Sequence, residues 1–394
     1  MAPPRARGSR RPIRGLLAAF VVTCVPVAIA ACGSRPPPAP ALPTPAPVPT
    51  ISEAERLAAE EAKPAENGAL AIACGDFHTC ALRADGTIWC WGRNRAGQVG
   101  SGDEPNRPKP AAVPALDEGR ALALGSTFSC ALKKDATLRC WGTGKLLADA
   151  VNRERIPPTA VESVADVEEL QAGGYLTCAR QRTGKIRCWG LEGEVKWKTP
   201  DLPKAKQIVA AAAHGCARLA DGSVRCWGEN PWGGNGPFSK PSIAGTLEIA
   251  TGDTFACAIV EKGKVKCWGR NDHGELGIAP DHDYHQKPVL VPGVEGAKSL
   301  AAGESQACAV LDDGRAWCWG SNTKGELGTA DGPSTSEAPM AVRGLSDVEQ
   351  ISVGSQHACA RTKLGHVYCW GGNGAGQLGN GTEADSKKPI RVRF

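Results

Sequence analysis

The sequence predicts an all-β fold built from repeated units, arranged as a propeller or a solenoid. Fourteen of the seventeen cysteines form seven pairs, and the two members of each pair stand ten residues apart. The first cysteine of each pair is followed by alanine, and the second opens the tripeptide Cys-Trp-Gly. Successive units start between 38 and 51 residues apart. A repeat of this length, with short strand-like segments and turn glycines, is typical of those two architectures.

Composition narrows the class of protein further. The 394 residues include 48 glycines and 30 prolines but show no collagen period, and no long apolar run follows the N-terminal region. Fibrous proteins and polytopic membrane proteins are therefore excluded. Seventeen cysteines indicate an oxidising compartment, because the cytosol keeps thiols reduced.

The N-terminus, residues 1–31, is predicted to be a lipoprotein signal peptide that is cleaved. Five arginines within residues 1–14 precede an apolar stretch from Gly15 to Ala31, as in secretory signals. Cys32 directly follows an apolar-small-small triplet, which resembles the bacterial lipobox, so we expect Cys32 to carry the lipid. Gly33 stands where an aspartate would retain such a protein in the inner membrane, which favours the outer membrane. The alternative is an ordinary signal peptide or an uncleaved anchor with an incidental cysteine.

The formal net charge of +5 comes from that N-terminal segment. Cleavage removes five arginines, and the remaining basic residues then equal the 41 acidic residues in number. A neutral mature chain lacks the basic surface that nucleic-acid binding requires, so we predict no nucleic-acid partner.

Residues 32–67 are predicted to link the lipid to the folded domain. Residues 33–50 are mainly proline and alanine, which favours an extended, semi-rigid tether. Residues 51–63 have a helix-favouring composition, and both a short helix and a disordered acidic stretch fit them. The repeats occupy residues 68–394 and form the folded domain.

Each cysteine pair is predicted to lie on one β-hairpin. In the first unit, two short strands flank residues 84–86, which suit a three-residue loop with Gly86 in the left-handed conformation. This turn places the two cysteines opposite each other, with Cα atoms about 4.5–5.5 Å apart, within reach of a disulfide. Zinc binding and free buried thiols are the alternatives. The predicted disulfides join Cys80 to Cys90, Cys130 to Cys140, Cys178 to Cys188, Cys216 to Cys226, Cys257 to Cys267, Cys308 to Cys318 and Cys359 to Cys369.

A longer pattern contains these hairpins: Gly-x-x-x-x-Cys-Ala-Leu-x-x-Asp-Gly-x-x-x-Cys-Trp-Gly-x-Asn-x-x-Gly-Gln-Leu-Gly. It resembles the repeat of the regulator of chromosome condensation family and extends over residues 68–394. The resemblance implies a seven-bladed β-propeller in which each blade is a small antiparallel sheet. The tail Asn-x-x-Gly-x-Leu-Gly is degraded or missing in units 2 to 4. Complete copies stand at residues 80–100, 257–277, 308–328 and 359–379.

The end of the chain predicts how the ring closes. Residues 389–394 form a strand-like segment of a type that precedes the later units but not the first. We therefore expect the C-terminal strand to complete the first blade and close the ring, leaving no open sheet edge.

Few residues outside the repeat positions are candidates for a site. No phosphate-binding loop, nucleophile elbow or zinc-protease motif occurs, so we expect neither catalysis nor a cofactor. His282 and His285 lie in a polar loop that could bind a divalent metal, although a solvated loop is the favoured explanation and we predict no metal site. Trp197, Trp232 and Tyr284 are candidates for contacting a partner, with gap filling in shortened blades as the alternative for the two tryptophans.

These observations predict a non-catalytic, monomeric cell-envelope lipoprotein whose propeller binds an unidentified envelope or extracellular protein or serves as a scaffold. Some secreted bacterial members of the resembled family inhibit enzymes, which makes an inhibitor a specific case of this function. The alternative is an envelope enzyme with its site at the central mouth of the propeller. Such a site needs convergent acids, histidines or a metal there, whereas the repeat positions supply mostly small and apolar residues. Cys74 has no pairing partner and is either buried or reactive.

Overall fold

A computed structural model of the chain divides it into two units, residues 1–51 and residues 52–394. The first unit, with the predicted signal peptide, Cys32 and most of the tether, lies outside the described residues. No helix among the described residues is long and apolar enough to cross a membrane. The structure describes residues 60, 62–143, 155–190, 202, 205–228, 238–239 (backbone only) and 241–394.

The described chain forms seven antiparallel sheets, which confirms the all-β, seven-bladed propeller. Strands follow one another within each sheet in sequence order, so each blade is one continuous segment of chain. The third blade has three described strands and the others have four. The first four blades contain β1 (Ala69–Cys74), β2 (His78–Arg83), β3 (Ile88–Arg93) and β4 (Asn106–Ala112); β5 (Gly119–Leu124), β6 (Phe128–Lys133), β7 (Leu138–Gly142) and β8 (Ile156–Ala160); β9 (Val167–Gly173), β10 (Leu176–Gln181) and β11 (Ile186–Gly190); β12 (Ala205–Ala210), β13 (His214–Leu219), β14 (Val224–Gly228) and β15 (Phe238–Ser239).

The last three blades repeat the same order. A short 3-10 helix at Glu261–Gly263 takes the place of the hairpin turn in the fifth blade. The strands of these blades are β16 (Glu248–Thr251), β17 (Phe255–Val260), β18 (Lys264–Arg270) and β19 (Tyr284–Leu290); β20 (Ala297–Ala302), β21 (Gln306–Leu311), β22 (Ala316–Gly320) and β23 (Met340–Ala341); β24 (Val348–Val353), β25 (His357–Thr362), β26 (Val367–Gly371) and β27 (Ser386–Val392).

The hairpin of the first blade has the predicted register. Cys80 lies directly opposite Cys90, and the amide of Arg83 donates to the carbonyl of Thr87 at 2.9 Å. Gly86 has a φ of +84°, a left-handed conformation that glycine adopts without strain. All seven pairs are disulfide-bonded. Their Cα separations of 4.0 to 4.1 Å are shorter than predicted, at the close spacing of a non-hydrogen-bonded pair of antiparallel residues.

The hydrophobic core lies between the blades rather than within them. Among the described residues, seven clusters of buried side chains occur, one at each junction between neighbouring blades. Most repeat tryptophans contribute to these clusters, and Trp91, Trp141, Trp319 and Trp370 are fully buried. A single blade is a narrow sheet that cannot bury its own faces, so its stability depends on both neighbours.

The C-terminal strand closes the ring in a different way from the one predicted. The expectation that it completes the first blade is wrong, because β27 pairs with β26 as the outermost strand of the seventh blade. The chain reaches the first blade through Phe394, whose ring packs edge-on against Trp89 and Trp91 at centroid distances of 6.2 and 5.9 Å. The innermost strand β1 also contacts β24 and β25 directly. Side-chain packing and individual hydrogen bonds, rather than a shared sheet, therefore join the last blade to the first.

Candidate functional site

The seven innermost strands surround a central channel. Each contributes residues to the wall, from Ile72 in the first blade to Val353 in the seventh. The channel encloses a cavity of about 300 Å³. A second, smaller cavity of about 70 Å³ lies at one end of the channel, where glycines follow the innermost strands. Both volumes are at or below the lower limit of ordinary small-molecule sites.

Side chains along the channel wall connect neighbouring blades. Gln350 of β24 accepts a hydrogen bond from the amide of Ile72 at 3.0 Å and donates to its carbonyl at 2.9 Å. Gln207 makes the same pair of bonds with Ile249, at 2.9 and 3.0 Å. These bonds satisfy backbone groups of the innermost strand of the next blade, which would otherwise face the channel unpaired.

One mouth of the channel carries three carboxylates. Asp76, Asp253 and Glu304 each stand directly after the glycine that follows an innermost strand, and all three line the same small cavity. The hydroxyl of Ser126 donates to Asp76. The hydroxyl of Ser355, at the same position of the repeat, donates to Glu304. We name Asp76, Asp253 and Glu304 the acidic mouth.

Burial and the repulsion of neighbouring carboxylates make Asp76 and Asp253 easier to protonate. Burial, together with the charges of Asp76 and Glu304, raises the pKa of Asp253 to about 6. Burial also raises the pKa of Asp76, although the hydrogen bond from Ser126 works in the opposite direction. Perturbed carboxyl groups that converge in a cleft are a usual mark of functional sites.

The sequence interpretation missed the acidic mouth. The repeat positions were expected to supply mostly small and apolar residues to the central opening, and no acidic cluster was predicted there. The usable signal was the position after the glycine of each innermost strand, where Asp76, Asp253 and Glu304 stand in the first, fifth and sixth units. These residues are far apart in sequence, so only closure of the ring places them together.

The unpaired cysteine is partly buried and is not a reactive thiol. Burial raises the pKa of the Cys74 thiol to about 12, so it is protonated at neutral pH and a poor nucleophile. Its Sγ donates to the carbonyl of Ser352 at 3.5 Å. Cys74, His357 and Cys359 form the one group of three candidate metal ligands among the described residues. Because Cys359 is bonded to Cys369, it cannot act as a thiolate, and the group does not fit zinc.

The structure does not bring His282 and His285 together as metal ligands. His282 Nδ1 lies 3.2 Å from Asp272, whereas His285 Nε2 lies 2.8 Å from Asp281. Tyr284 is exposed, as a partner-contacting residue would be, and the guanidinium of Arg270 stacks on its ring at 5.3 Å from the centroid. Trp197 and Trp232 lie outside the described residues.

Comparison with known proteins agrees with this architecture. The chain is 36% identical over 124 residues to the E3 ubiquitin-protein ligase HERC2 of Mus musculus, covering 30% of this chain and 2% of that protein. It is 31% identical over 125 residues to the ultraviolet-B receptor UVR8 of Arabidopsis thaliana, covering 31% of this chain and 28% of that protein. The chain thus spans only a minor part of these relatives. The crystal structure of human WBSCR16 superposes with a TM-score of 0.68 at 20% identity, over 78% of this chain and 94% of that chain, and shows the same fold.

Two family models match, both described as the regulator of chromosome condensation (RCC1) repeat. The first matches residues 70–98, 248–275, 297–326 and 348–377, and the second matches residues 85–132, 262–310, 313–361 and 365–394. Together they cover more than half of the chain, which therefore belongs to the family of proteins built from regulator of chromosome condensation repeats.

Proposed function

We propose that this chain is a non-catalytic, lipid-anchored protein of the bacterial cell envelope whose monomeric propeller binds another envelope or extracellular protein. The observation that carries the proposal is the set of seven disulfides, one in every blade. Such bonds persist in oxidising compartments. A ring held in one conformation also loses little entropy when it binds a partner, as suits a scaffold or an enzyme inhibitor.

The lipid anchor is tested by substituting Cys32, which lies outside the described residues. Wild-type protein should incorporate a palmitate analogue in growing bacterial cells and fractionate with membranes, and Cys32→Ser should lose both properties. Cys74→Ser is the matched control, because Cys74 is the other cysteine of the mature chain that forms no disulfide. Retention of the label in Cys32→Ser contradicts the proposed anchor.

The acidic mouth is the surface that we propose for the partner. Its three carboxylates suit a lysine or arginine presented by a protein loop, since the opening is too small for a folded element. Crosslinked pull-down from intact cells should recover a partner with wild-type protein and lose it with the D76N/D253N/E304Q variant. The control E162Q/E261Q/E337Q removes three exposed acids elsewhere and should bind normally. Equal recovery with both variants argues against this face.

The same carboxylates support the alternative function, an envelope hydrolase with its site at the mouth. A buried carboxyl group whose pKa is near 6, as for Asp253, has the properties of a general acid. Purified protein should be assayed at pH 5 to 6 with chromogenic glycosides and esters. The non-catalytic proposal predicts no turnover above buffer. Turnover that Asp253→Asn abolishes, with unchanged folding, would establish the alternative instead.

A further inference from the structure

A second cavity lies where the first and last blades meet. It has a volume of about 280 Å³ and opens beside the segment that leads into β1. Its basic side chains come from both ends of the propeller: Arg83 from the first blade, and His366, Arg391 and Arg393 from the seventh. We name this cavity the seam pocket.

Arg391 has one guanidinium nitrogen in the seam pocket that lacks a hydrogen-bond acceptor. One of its guanidinium nitrogens, Nη2, donates to His366 Nδ1 at 3.0 Å, while His366 Nε2 lies 2.9 Å from the carbonyl of Lys63. The other nitrogen, Nη1, is buried and has no hydrogen-bond partner. Buried polar atoms are nearly always hydrogen-bonded, so this guanidinium nitrogen is a donor that still lacks an acceptor, and an acceptor can reach it only where the Glu60 side chain moves away.

Glu60 is the one acidic side chain among the described residues that forms an ion pair with this nitrogen. Glu60 Oε1 is 3.6 Å from Arg391 Nη1 and 3.0 Å from Arg393 Nη1. The first distance is too long for a hydrogen bond, so Glu60 neutralises Arg391 without satisfying it. The Glu60 and Arg393 side chains are 46% and 62% exposed, and an exposed ion pair of this kind contributes little stability. Another carboxylate can therefore displace Glu60 at low cost.

Arg83 does not compete for the same ligand. Its Nε and Nη2 donate to the carbonyls of Asn67 and Glu66 at 3.0 and 3.3 Å, and its guanidinium stacks over Phe394. The guanidinium nitrogens that lie beside Glu60 belong to Arg391 and Arg393. Two guanidinium groups with one weakly held acid between them suit the two oxygens of a carboxylate.

We propose that the seam pocket binds the carboxylate group of an acidic ligand, and that Glu60 is a competing carboxylate supplied by the chain itself. The ligand's oxygens would accept from Arg391 Nη1 and Arg393 and would displace the Glu60 side chain. This site is separate from the acidic mouth, so its test does not depend on the function proposed for that surface.

Isothermal titration calorimetry of the full-length chain tests the proposal. Glutarate is the carboxylate probe, and inorganic phosphate is titrated in a separate experiment. Glu60→Gln removes the competing charge and should bind glutarate about tenfold more tightly than wild type, a difference near 1.4 kcal/mol. Glu60→Gln combined with Arg391→Gln should show no binding. Glu337→Gln, which removes an exposed acid elsewhere, should match wild type.

The proposal is overturned if Glu60→Gln binds glutarate no better than wild type, or if the Arg391→Gln combination binds equally well. If the chain binds inorganic phosphate but not glutarate, the site takes a phosphate rather than a carboxylate, and the proposal is also overturned. If thermal melting shows that Arg391→Gln disrupts the fold, Arg393→Gln takes its place, because that side chain is 62% exposed.

Discussion

Six of the seven junctions between the described blades fall into two groups that differ in one hydrogen bond. Where the preceding blade has a complete Asn-x-x-Gly-x-Leu-Gly tail, the repeat tryptophan of the next blade donates its indole N–H to a carbonyl of that tail. Where the tail is degraded, the buried indole nitrogens of Trp189 and Trp227 have no hydrogen-bond partner among the described residues. The four complete junctions pair Trp91 with Gln377 at 2.8 Å, Trp141 with Gln98 at 2.8 Å, Trp319 with Glu275 at 2.9 Å and Trp370 with Glu326 at 2.7 Å.

The tail is folded to present that carbonyl. In the sixth blade, Asn322 Oδ1 accepts from the amide of Leu327 at 3.1 Å, and Glu326 Oε2 accepts from the amide of Lys324 at 2.7 Å. Leu327 is fully buried at the junction with the seventh blade. The motif therefore stabilises the contact with the following blade more than the blade that contains it. Units 2 to 4 thus keep their hairpins and disulfides although they lack the tail.

The largest expected effect comes from the apolar anchor of a complete tail. Leu327→Ala should lower the free energy of unfolding by about 2–5 kcal/mol, because it removes a fully buried side chain and leaves a cavity. Leu290→Ala, at a 47% exposed position, should cost much less. Chemical denaturation measures both changes. Equal costs would mean that the tail does not anchor the junction.

Disulfide removal tests whether the hairpin is independent of the tail. Replacing Cys308 and Cys318 with alanine removes the disulfide of the sixth blade, which has a complete tail. Replacing Cys178 and Cys188 with alanine removes the disulfide of the third blade, whose tail is degraded, and opens a loop of the same length. Each double variant should lose about 2–3 kcal/mol, since the bond acts mainly on the unfolded chain. Denaturation without reductant measures the loss. A much larger loss in the third blade would show that its disulfide compensates for the missing tail.

Acidification tests a second polar contact at the junctions. His78 Nε2 lies 2.8 Å from Ser129 Oγ of the next blade, and burial lowers the pKa of His78 to about 3. The unfolded chain binds this proton below pH 6.5, so the stability that neutral His78 provides is present above that pH and is lost as the pH falls towards 3.

His78→Gln should therefore reduce the loss of stability between pH 7 and pH 5 by about 2 kcal/mol. Glutamine occupies the same repeat position in the sixth blade, where Gln306 donates to the carbonyls of Gly354 and Ser355 at 3.1 Å. Denaturation at the two pH values gives the difference. The exposed His282→Gln is the control, and an unchanged slope in His78→Gln would contradict the assignment.

The smallest expected effect isolates the indole hydrogen bond itself. Trp319→Phe and Trp227→Phe remove the same volume from buried positions, but only the first breaks a hydrogen bond and leaves a carbonyl unpaired. Trp319→Phe should therefore cost about 1 kcal/mol more than Trp227→Phe. Thermal melting of the two variants at one pH resolves the difference. Equal costs would mean that this bond adds nothing to the junction.

Much of the fold was predictable because its units are local. The pairing of Cys80 with Cys90 depends on the turn at Gly86, and the ten-residue spacing contains that turn. The number of blades follows from counting the same spacing seven times. The place of the C-terminal strand was not predictable in this way. Its sequence fits a strand that completes the first blade and an outermost strand of the seventh blade equally well. Its hydrogen bonds to β26 identified it as an outermost strand.

The sequence by itself determined the repeat, the hairpins and their disulfides, since each depends on residues about ten positions apart. Only the tertiary structure decided which side chains meet across the ring. Asp76 and Asp253 share the acidic mouth, and Glu60 reaches Arg391 and Arg393, because closure of the propeller brings distant segments together. Such contacts carry no periodic signal, since each is made once and by residues that need not match any other unit.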